Sequence, residues 1–250
     1  MEIIETYIDD TVIVTDVLPE TMQLTELSLK AFKHVFIARP DGLNMEQMRY
    51  LKKLAEESGV VLHLGTGYKF CPAYKMFAKT EQPKIIEVKQ QLVKTGDLLT
   101  KLNIELCYVF DFLTSILNVN ITKYDVREWN NSENLPDLLN CRLECSNGCV
   151  INMLSCTIDA GKPKLEITFI SSETVITADI FKSSVRKQFR ANDYEENIVI
   201  DDYCEKTVND CYFENFKRAK NNDLLAIRSI DKQFQNFITA NSIINLIYKK

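Results

Sequence analysis

Short apolar runs alternate with amphipathic stretches through the first seventy residues of the chain, and this alternation constrains the fold more than any other feature. Three runs have the length and the β-branched or aromatic content of strands: Thr11 to Thr15, His34 to Ile37 and Val60 to Leu64. The stretches between them have helical spacing. Strands that alternate with helices in this way are typical of parallel β-α-β units.

Two amphipathic helices are predicted between these strands. In the first, Leu24, Leu27 and Ala31 recur at helical spacing, which predicts that they form the buried stripe. The second begins at Asn44, which has a glutamine three residues later as in a capping box. It ends at Gly59, because glycine is favoured just beyond the last turn of a helix.

Beyond Cys71 the strands become longer and alternate with period two, which predicts an antiparallel or mixed sheet with helices on one face. The predicted strands are Lys84 to Val93, Val119 to Trp129, Leu138 to Cys145, Val150 to Ile158, Lys164 to Ile170 and Thr174 to Phe181. Asn147 and Gly148 predict a hairpin turn between the third and fourth of these strands. Helices are predicted from about Leu98 to Leu117 and over the region from Tyr203 to Tyr248.

The composition excludes several classes of protein. A formal net charge of -5 leaves no positive excess with which to bind a nucleic acid. The apolar runs are too short to span a membrane, and the N-terminal residues carry no basic segment ahead of an apolar one, so we expect neither a membrane protein nor an exported one. In a cytoplasmic protein the eight cysteines are expected to be reduced thiols without a disulfide framework.

Three segments of the sequence are similar, in order and spacing, to pieces of one enzyme family. Residues 32–40 read FKHVFIARP, like the family's GKHV..EKP, and residues 60–72 read VVLHLGTGYKFCP, like its GHN.RF.P. Residues 96–108 read GDLLTKLNIELCY, like its GG.LLDLGIHDLD. From about Asp9 to its end, the chain resembles the Gfo/Idh/MocA oxidoreductases.

The resemblance implies an N-terminal Rossmann domain for NAD(P) and a C-terminal α+β domain whose large open sheet supports substrate binding and oligomer contacts. We therefore expect a fold of class α/β plus α+β. Residues 1–70 would form an incomplete, truncated Rossmann-like β-α-β-α-β segment with a parallel sheet. Residues 71–250 would form the Gfo/Idh/MocA-type domain, with a mixed or antiparallel sheet and helices on one face.

The first departure from the family concerns the cofactor. A Gly-x-Gly-x-x-Gly turn must bring backbone amides against the pyrophosphate, and the strand at Thr11 resembles the fourth Rossmann strand, with only Met1 to Asp10 before it. The later Gly65 and Gly67 are not followed by a glycine-opened helix. We expect no cofactor site in this chain. We also expect the first strand to be an edge that Met1 to Asp10 or a partner covers.

The second departure concerns the reaction. The resemblance implies a lysine near the nicotinamide at the position of Arg39, and an aspartate and a histidine on the long helix at the positions of Lys101 and Glu105. Hydride transfer to or from a carbinol needs a group that exchanges the hydroxyl proton, and arginine is not deprotonated in proteins. We therefore assign no catalytic residue at these degenerate positions. Arg39, Tyr68 and Glu105 remain candidate substrate contacts.

Other reactive residues favour structural interpretations. Cys141, Cys145 and Cys149 suggest a metal site, but their spacing fits a strand and a hairpin better than a zinc knuckle, so no metal is expected. His34 and His63 each lie within a predicted strand, as structural histidines do. Four basic residues that form either an anion site or a solvated face are Lys182, Arg186, Lys187 and Arg190.

Two functional hypotheses follow. In the first, the chain is a non-catalytic homologue that acts as a binding, scaffolding or oligomer-partner protein, either as a homo-oligomer or with a full-length family member. In the second, it is an NAD(P)-dependent oxidoreductase acting on a sugar-like substrate, with the cofactor site completed by a partner subunit. Glu105 would then be the base, and Arg39 and Tyr68 would contact the substrate.

Overall fold

A computed structural model describes residues 10–15, 20–40, 43–65, 67–94, 98–130, 136–182, 184–192, 194–201 and 204–248. The chain forms two compact units. The first consists of Met1–Gly67 with Glu205–Ile238, and the second of Tyr68–Cys204 with Thr239–Lys250.

The first unit contains a parallel sheet of three strands in the order β1-β2-β3. Its elements are β1 (Thr11–Val14), α1 (Thr21–Lys30), β2 (His34–Ile37), α2 (Met45–Ser58), β3 (Leu62–Leu64) and, later in the chain, α5 (Glu205–Lys220). The helix α6 (Leu224–Tyr248) begins in this unit. The parallel β-α-β segment predicted from the apolar runs is therefore confirmed.

Both faces of this parallel sheet are buried. Val35, Phe36 and Ile37 are consecutive in β2 and are all enclosed, although their side chains point alternately to opposite faces. On one face the Phe36 ring contacts the rings of Phe213 and Phe216 in α5, with centroids 5.5 Å and 5.8 Å away. The continuous apolar run of β2 is therefore typical of a strand that is buried on both faces of its sheet.

Helix α1 does not bury the stripe predicted for it. Leu27 is 59% exposed, whereas the buried residues are Thr21, Thr25, Ser28 and Leu29. The predicted helix exists, but its core face is largely polar, so the spacing of its leucines indicated the wrong side. The small Thr and Ser side chains suit this face because α1 packs closely against β2 and α2.

Helix α2 begins and ends as predicted. The Asn44 side chain accepts a hydrogen bond from the Gln47 amide at 2.9 Å, and the Gln47 side chain accepts one from the Asn44 amide at 2.9 Å. Gly59 ends the helix in the left-handed conformation, with φ of 66°. Met45, Met48, Leu51 and Ala55 form its buried stripe.

The second unit contains an eight-stranded sheet in the order β11-β10-β9-β8-β4-β7-β6-β5. Its elements are α3 (Pro72–Phe77), β4 (Ile85–Val93), α4 (Leu98–Leu117), β5 (Ile121–Asn130), β6 (Pro136–Cys145), β7 (Val150–Ile158), β8 (Lys164–Ile170), β9 (Thr174–Asp179), β10 (Ser184–Phe189) and β11 (Glu195–Val199). Strands β4 and β7 run parallel, and the other described pairings are antiparallel. The expected mixed sheet is confirmed.

This sheet is buried on one face. Along β4, Ile86, Val88 and Leu92 are enclosed while the alternate residues face outward. Helices α3 and α4 lie on the enclosed face, because the Phe77 ring in α3 contacts Phe169 of β8 at 4.3 Å and α4 hydrogen-bonds to β4. The expected helices on one face are present, and the other face is open.

Three elements of the second unit were not predicted. Strands β10 and β11 extend the sheet beyond the last predicted strand, and the short helix α3 follows Cys71, where strands were expected to begin. Val185 is the fully buried side chain of β10, and β11 has mostly exposed residues. Their sequences therefore lack the alternation that identified the other strands.

In the described residues, β1 is an edge strand of the parallel sheet. The expectation that Met1 to Asp10 covers this edge concerns residues 1–9, which lie outside the described part of the chain. Within that part, no helix combines the length and the hydropathy that crossing a bilayer requires.

Candidate functional site

Two polar residues lie on the enclosed face of the eight-stranded sheet. Gln90 in β4 and Ser155 in β7 are 3% and 2% exposed, and they are neighbours because the register pairs them directly. The Ser155 hydroxyl donates to the Gln90 side-chain oxygen at 2.9 Å. Burying such groups costs free energy unless they are hydrogen-bonded, so this pair is a specific feature of the core.

The Gln90 side-chain amide is also hydrogen-bonded to Glu105, a half-buried residue of α4. Its NH₂ group donates to Glu105 Oε2 at 3.3 Å, and the Tyr68 hydroxyl donates to the same oxygen at 2.5 Å. Tyr68 is itself enclosed, and its ring meets those of Tyr108 and Phe181 edge to face at 5.7 Å and 5.8 Å. The result is a hydrogen-bonded chain, from Ser155 through Gln90 to Glu105, which Tyr68 joins from the other side.

Two of the sequence-predicted site residues thus lie together, namely Tyr68 and Glu105. The hydrogen bond between them is short, as bonds to a carboxylate are. A carboxylate with a phenol donor and an amide donor is fixed in position. This arrangement is suited to holding a hydrogen-bond donor of a ligand or to accepting a proton from one.

Lys101 lies one turn earlier on α4 and has a structural contact. Its ammonium donates to the carbonyl of Val93, the last residue of β4, at 2.8 Å. The contact ties the first turn of α4 to the end of the strand. The residue at the position where the family carries an aspartate is therefore engaged in holding the helix to the sheet.

Arg39 follows β2 in the first unit, and its side chain is exposed. It precedes Pro40, which is buried. The guanidinium is charged at every physiological pH, so this position supplies positive charge and no proton exchange.

Gly65 is required by the packing of two strands. Its amide donates to the Ile37 carbonyl at 2.6 Å, and a Cβ added to it would lie 2.4 Å from the Ala38 carbonyl oxygen. The glycine therefore permits the close approach of the chain beyond β3 to the chain beyond β2. This packing role accounts for Gly65 without a phosphate.

The two histidines lie in the strands where they were predicted. His34 Nδ1 accepts a hydrogen bond from the Val61 amide at 3.0 Å, and burial lowers the pKa of His34 despite the nearby Asp10 carboxylate. The His63 ring is enclosed between Phe36 and Tyr212, with centroids 5.7 Å and 5.8 Å away. The His63 ring is part of the core of the first unit, and the His34 ring is half-buried at the start of β2.

All eight cysteines are free thiols, and six of them are at least partly buried. Burial raises the pKa of Cys71 and of Cys141 to about 12, so both are protonated at neutral pH. Among the described residues, no group of three or more His, Cys, Asp and Glu side chains is arranged to hold a metal ion.

The four basic residues beyond β9 do not share one face. Arg186 and Lys187 are adjacent in β10 and point to opposite sides of the sheet. The ammonium of Lys182 pairs with Asp179 at 3.3 Å, that of Lys187 lies 4.6 Å from the centre of the Phe189 ring, and Arg190 donates to the Ser171 carbonyl at 3.0 Å. This spread agrees with a solvated surface better than with an anion site.

Sequence reasoning missed Gln90 and Ser155. Both occupy inward positions of otherwise regular strands, where Ile86, Val88 and Leu92 mark the phase in β4, and Ile151 and Met153 mark it in β7. A polar residue at an inward position was therefore the available signal. The side chain that the pair reaches, Glu105, lies on another element, and no pattern in the sequence reveals that contact.

The sequence matches no protein-family model and no curated protein. Solved structures nevertheless share the fold. A UDP-N-acetylglucosamine 3-dehydrogenase, GnnA, from Acidithiobacillus ferrooxidans superposes with a TM-score of 0.70 at 15% identity, over 94% of this chain and 79% of that one. The dehydrogenase MviM from Clostridium difficile has a TM-score of 0.73 at 15% identity, over 96% of this chain and 78% of that one.

An inositol dehydrogenase homolog from Azotobacter vinelandii, complexed with NADH and myo-inositol, has a TM-score of 0.73 at 11% identity, over 95% of this chain and 76% of that one. These structures are dehydrogenases of the Gfo/Idh/MocA type. The chain therefore has the Gfo/Idh/MocA oxidoreductase fold, as its sequence resemblance implied.

Proposed function

We propose that this chain is a non-catalytic homologue of the Gfo/Idh/MocA oxidoreductases that acts as a binding, scaffolding or oligomer-partner protein. One observation carries the proposal. On α4, the Lys101 ammonium holds the end of β4, and Glu105 is fixed by Tyr68 and Gln90. The two positions at which the resemblance implies an aspartate and a histidine carry instead a cation and a carboxylate with internal contacts. Together with Arg39, they lack the proton-exchanging set of the family.

The glycines of the chain support the same proposal. A phosphate site at the start of a helix needs glycines that let backbone amides approach the ligand. Gly65 is accounted for by its approach to Ala38, and the start of α2 is capped by Asn44 and Gln47. The described junctions therefore have local roles, and we propose that the chain by itself holds no NAD(P).

The test is isothermal titration of the purified chain with NAD and with NADP. We expect no saturable heat for either nucleotide. The inositol dehydrogenase homolog, whose structure contains NADH, is the matched positive control under the same conditions. Stoichiometric binding of either nucleotide to this chain alone would contradict the proposal.

A second candidate function rests on the Tyr68 and Glu105 pair. A carboxylate that receives a phenol hydrogen bond at 2.5 Å is a group that can take a proton from a substrate hydroxyl. In this alternative the chain is an NAD(P)-dependent oxidoreductase for a sugar-like substrate, and a full-length partner completes the cofactor site. Arg39 would contact the substrate.

The alternative is tested by mixing the chain with a full-length oxidoreductase of this fold, NAD and either myo-inositol or UDP-N-acetylglucosamine. Formation of reduced nicotinamide above the rate of the partner alone would favour the alternative, provided that Glu105→Gln removes the increase. Lys164→Glu, on an exposed residue of β8, is the control for nonspecific effects. An unchanged rate favours the non-catalytic function.

We further propose that the open face of the eight-stranded sheet binds a second copy of the chain. An apolar patch lies on that face, because the register places Trp129 beside Leu138 and Leu138 beside Cys156, with Leu154 two residues before Cys156. Trp129 is 51% exposed and Leu154 is 41% exposed. Exposed apolar clusters of this kind mark protein contacts.

Light scattering coupled to size-exclusion chromatography tests this contact. We expect a dimer for the wild-type chain and a monomer for Leu154→Glu, because a carboxylate in an apolar contact is costly to desolvate. The exposed Lys164→Glu change on the same face is the matched control and should keep the dimer. A wild-type monomer at every concentration would exclude the self-association.

A further inference from the structure

The turn between β6 and β7 places two cysteines opposite each other. The Cys145 amide donates to the Cys149 carbonyl at 2.9 Å, which continues the register that pairs Glu144 with Val150. The Cys145 carbonyl accepts from the Gly148 amide, so Gly148 and Cys149 together lie opposite Cys145, as in a β-bulge at the turn. Directly opposite residues of antiparallel strands have Cα atoms about 4.5–5.5 Å apart, and a disulfide needs roughly 4.4–6.8 Å, so neighbours across such a turn are close enough to be joined.

The side chains and the turn support the same geometry. Both side chains lie on the enclosed side of the hairpin, because Cys145 and Cys149 are 4% and 2% exposed and keep the phase of the buried pair Leu143 and Ile151. The turn is fixed, because the Gly148 amide donates to the Cys145 carbonyl and the Asn147 side chain accepts from the Cys149 amide. Gly148 takes the positive φ of 82° that the turn requires.

Cys149 also lines a cavity, which gives a small reagent a route to the pair. The cavity has a volume of about 450 Å³, and its lining includes Lys84 and Asn147. The buried thiols of Cys71, Cys107 and Cys141 do not line it. Lys84 places a positive charge there, which favours an anionic reagent and the thiolate of Cys149.

We propose that Cys149 and Cys145 are a redox pair that closes to a disulfide by exchange with a small disulfide entering this cavity. Cys149 releases its proton to solvent, and its thiolate attacks one sulfur of the reagent, so that a mixed disulfide forms and one small thiolate leaves. The Cys145 thiolate then attacks the Cys149 sulfur and releases the second small thiolate. Two protein thiols are oxidised, and one small disulfide is reduced to two thiols.

The pKa of Cys149 determines the rate of this reaction. The neighbouring Cys145 thiol and burial both raise that pKa, so the thiolate is scarce and exchange is slow. The equilibrium depends instead on how well the closed pair fits disulfide geometry. Slow but stable closure is therefore the expected behaviour.

The experiment uses the full chain with Cys204→Ser and Cys211→Ser, because those two thiols are exposed and would react first. The protein is incubated with glutathione disulfide, alkylated under denaturing conditions and digested with trypsin. Cleavage after Arg142 separates Cys141 from Cys145, Cys149 and Cys156, which stay on one peptide, and fragment spectra show which two of these three are joined.

We expect an internal disulfide between Cys145 and Cys149 that dithiothreitol reverses. In Cys145→Ser, Cys149 should accumulate as a mixed disulfide with glutathione, whereas in Cys149→Ser the Cys145 thiol should stay reduced. Cys71 and Cys107, which are buried like Cys145 and Cys149 but do not line the cavity, are internal controls and should remain alkylatable. The proposal is overturned if Cys145 and Cys149 stay reduced at equilibrium, if closure occurs only in urea, or if glutathione attaches first to Cys145.

Discussion

The two sheets of this protein treat their buried polar groups in different ways. In the parallel sheet, one buried polar residue, His63, is enclosed by the rings of Phe36 and Tyr212. In the eight-stranded sheet, buried Gln90 and Ser155 are joined by a hydrogen bond, and Gln90 continues to the half-buried Glu105. The His63 imidazole is packed among aromatic rings, whereas Gln90 and Ser155 form hydrogen bonds that position the Glu105 carboxylate.

This difference supports the proposed ligand contact at Glu105. A chain of buried polar residues costs free energy of folding unless every polar group is hydrogen-bonded. We therefore expect such a chain where it holds a functional group in position. Here it fixes Glu105, which also receives the Tyr68 hydroxyl. The first unit, by comparison, is organised by packing on both faces of a short sheet.

The largest expected effects test the burial of the two sheets. Phe36→Ala and Ile37→Ala change adjacent residues of β2 on opposite faces, and each should lower the free energy of unfolding by about 2–5 kcal/mol. In β4, Ile86→Ala should lower the free energy of unfolding by a similar amount. The adjacent Glu87→Ala should change it by no more than about 0.5 kcal/mol. Denaturant unfolding followed by circular dichroism measures all four. If either substitution in β2 left the free energy of unfolding unchanged, the burial of both faces of the parallel sheet would be refuted.

Gly65→Ala tests close packing within the parallel sheet. Its added Cβ would lie 2.4 Å from the backbone oxygen of Ala38, so the strand ends must separate. We expect a loss near the upper end of roughly 1–3 kcal/mol in the free energy of unfolding. Gly59→Ala is the control, because that site has a positive φ but no heavy atom within 4 Å. Equal losses at the two sites would mean that close approach is unimportant at Gly65.

Gln90→Leu tests the polar chain of the eight-stranded sheet. It removes the partner of the Ser155 hydroxyl and one donor to Glu105, so we expect a loss of about 1–2 kcal/mol. The double variant with Ser155→Ala should lose less than the sum of the single changes, because it leaves no buried hydroxyl without its partner. Strict additivity in this double-mutant cycle would show that the two residues act separately.

Much of the fold was predictable from periodicity. The sequence pattern placed β7, β8 and α4 within their observed bounds because their apolar residues keep strict period two or helical spacing. The pattern did not identify β10 and β11, where few side chains are buried. It misassigned the buried face of α1 because small polar residues, and not leucines, face the core there.

The candidate site was predictable only in part. Tyr68 and Glu105 came from a resemblance in short motifs, and the structure brings them to a 2.5 Å hydrogen bond. Gln90 and Ser155 stand out as polar residues at inward strand positions, but their link to Glu105 depends on how α4 lies on β4. Such contacts between distant elements follow from packing, which no local pattern encodes.

The smallest expected effect is a dependence of folding stability on pH. It should arise in the first unit, because both histidines lie there. Burial lowers the pKa of His34 below its ordinary 6.5, and its Nδ1 accepts the Val61 amide only when unprotonated. The unfolded chain therefore binds a proton at a higher pH than the folded chain does, so stability should fall as pH drops through about 6.5. The decline should end once the pH is below the folded pKa.

His34→Asn isolates this contribution, because the asparagine oxygen can replace Nδ1 as an acceptor without titrating. Denaturation midpoints at about pH 7.5 and about pH 5 should differ less in this variant than in the wild-type chain. The remaining difference comes from the other titratable groups, which are common to both proteins. An identical pH dependence in the two proteins would mean that the protonation of His34 is not coupled to the folding of the parallel sheet.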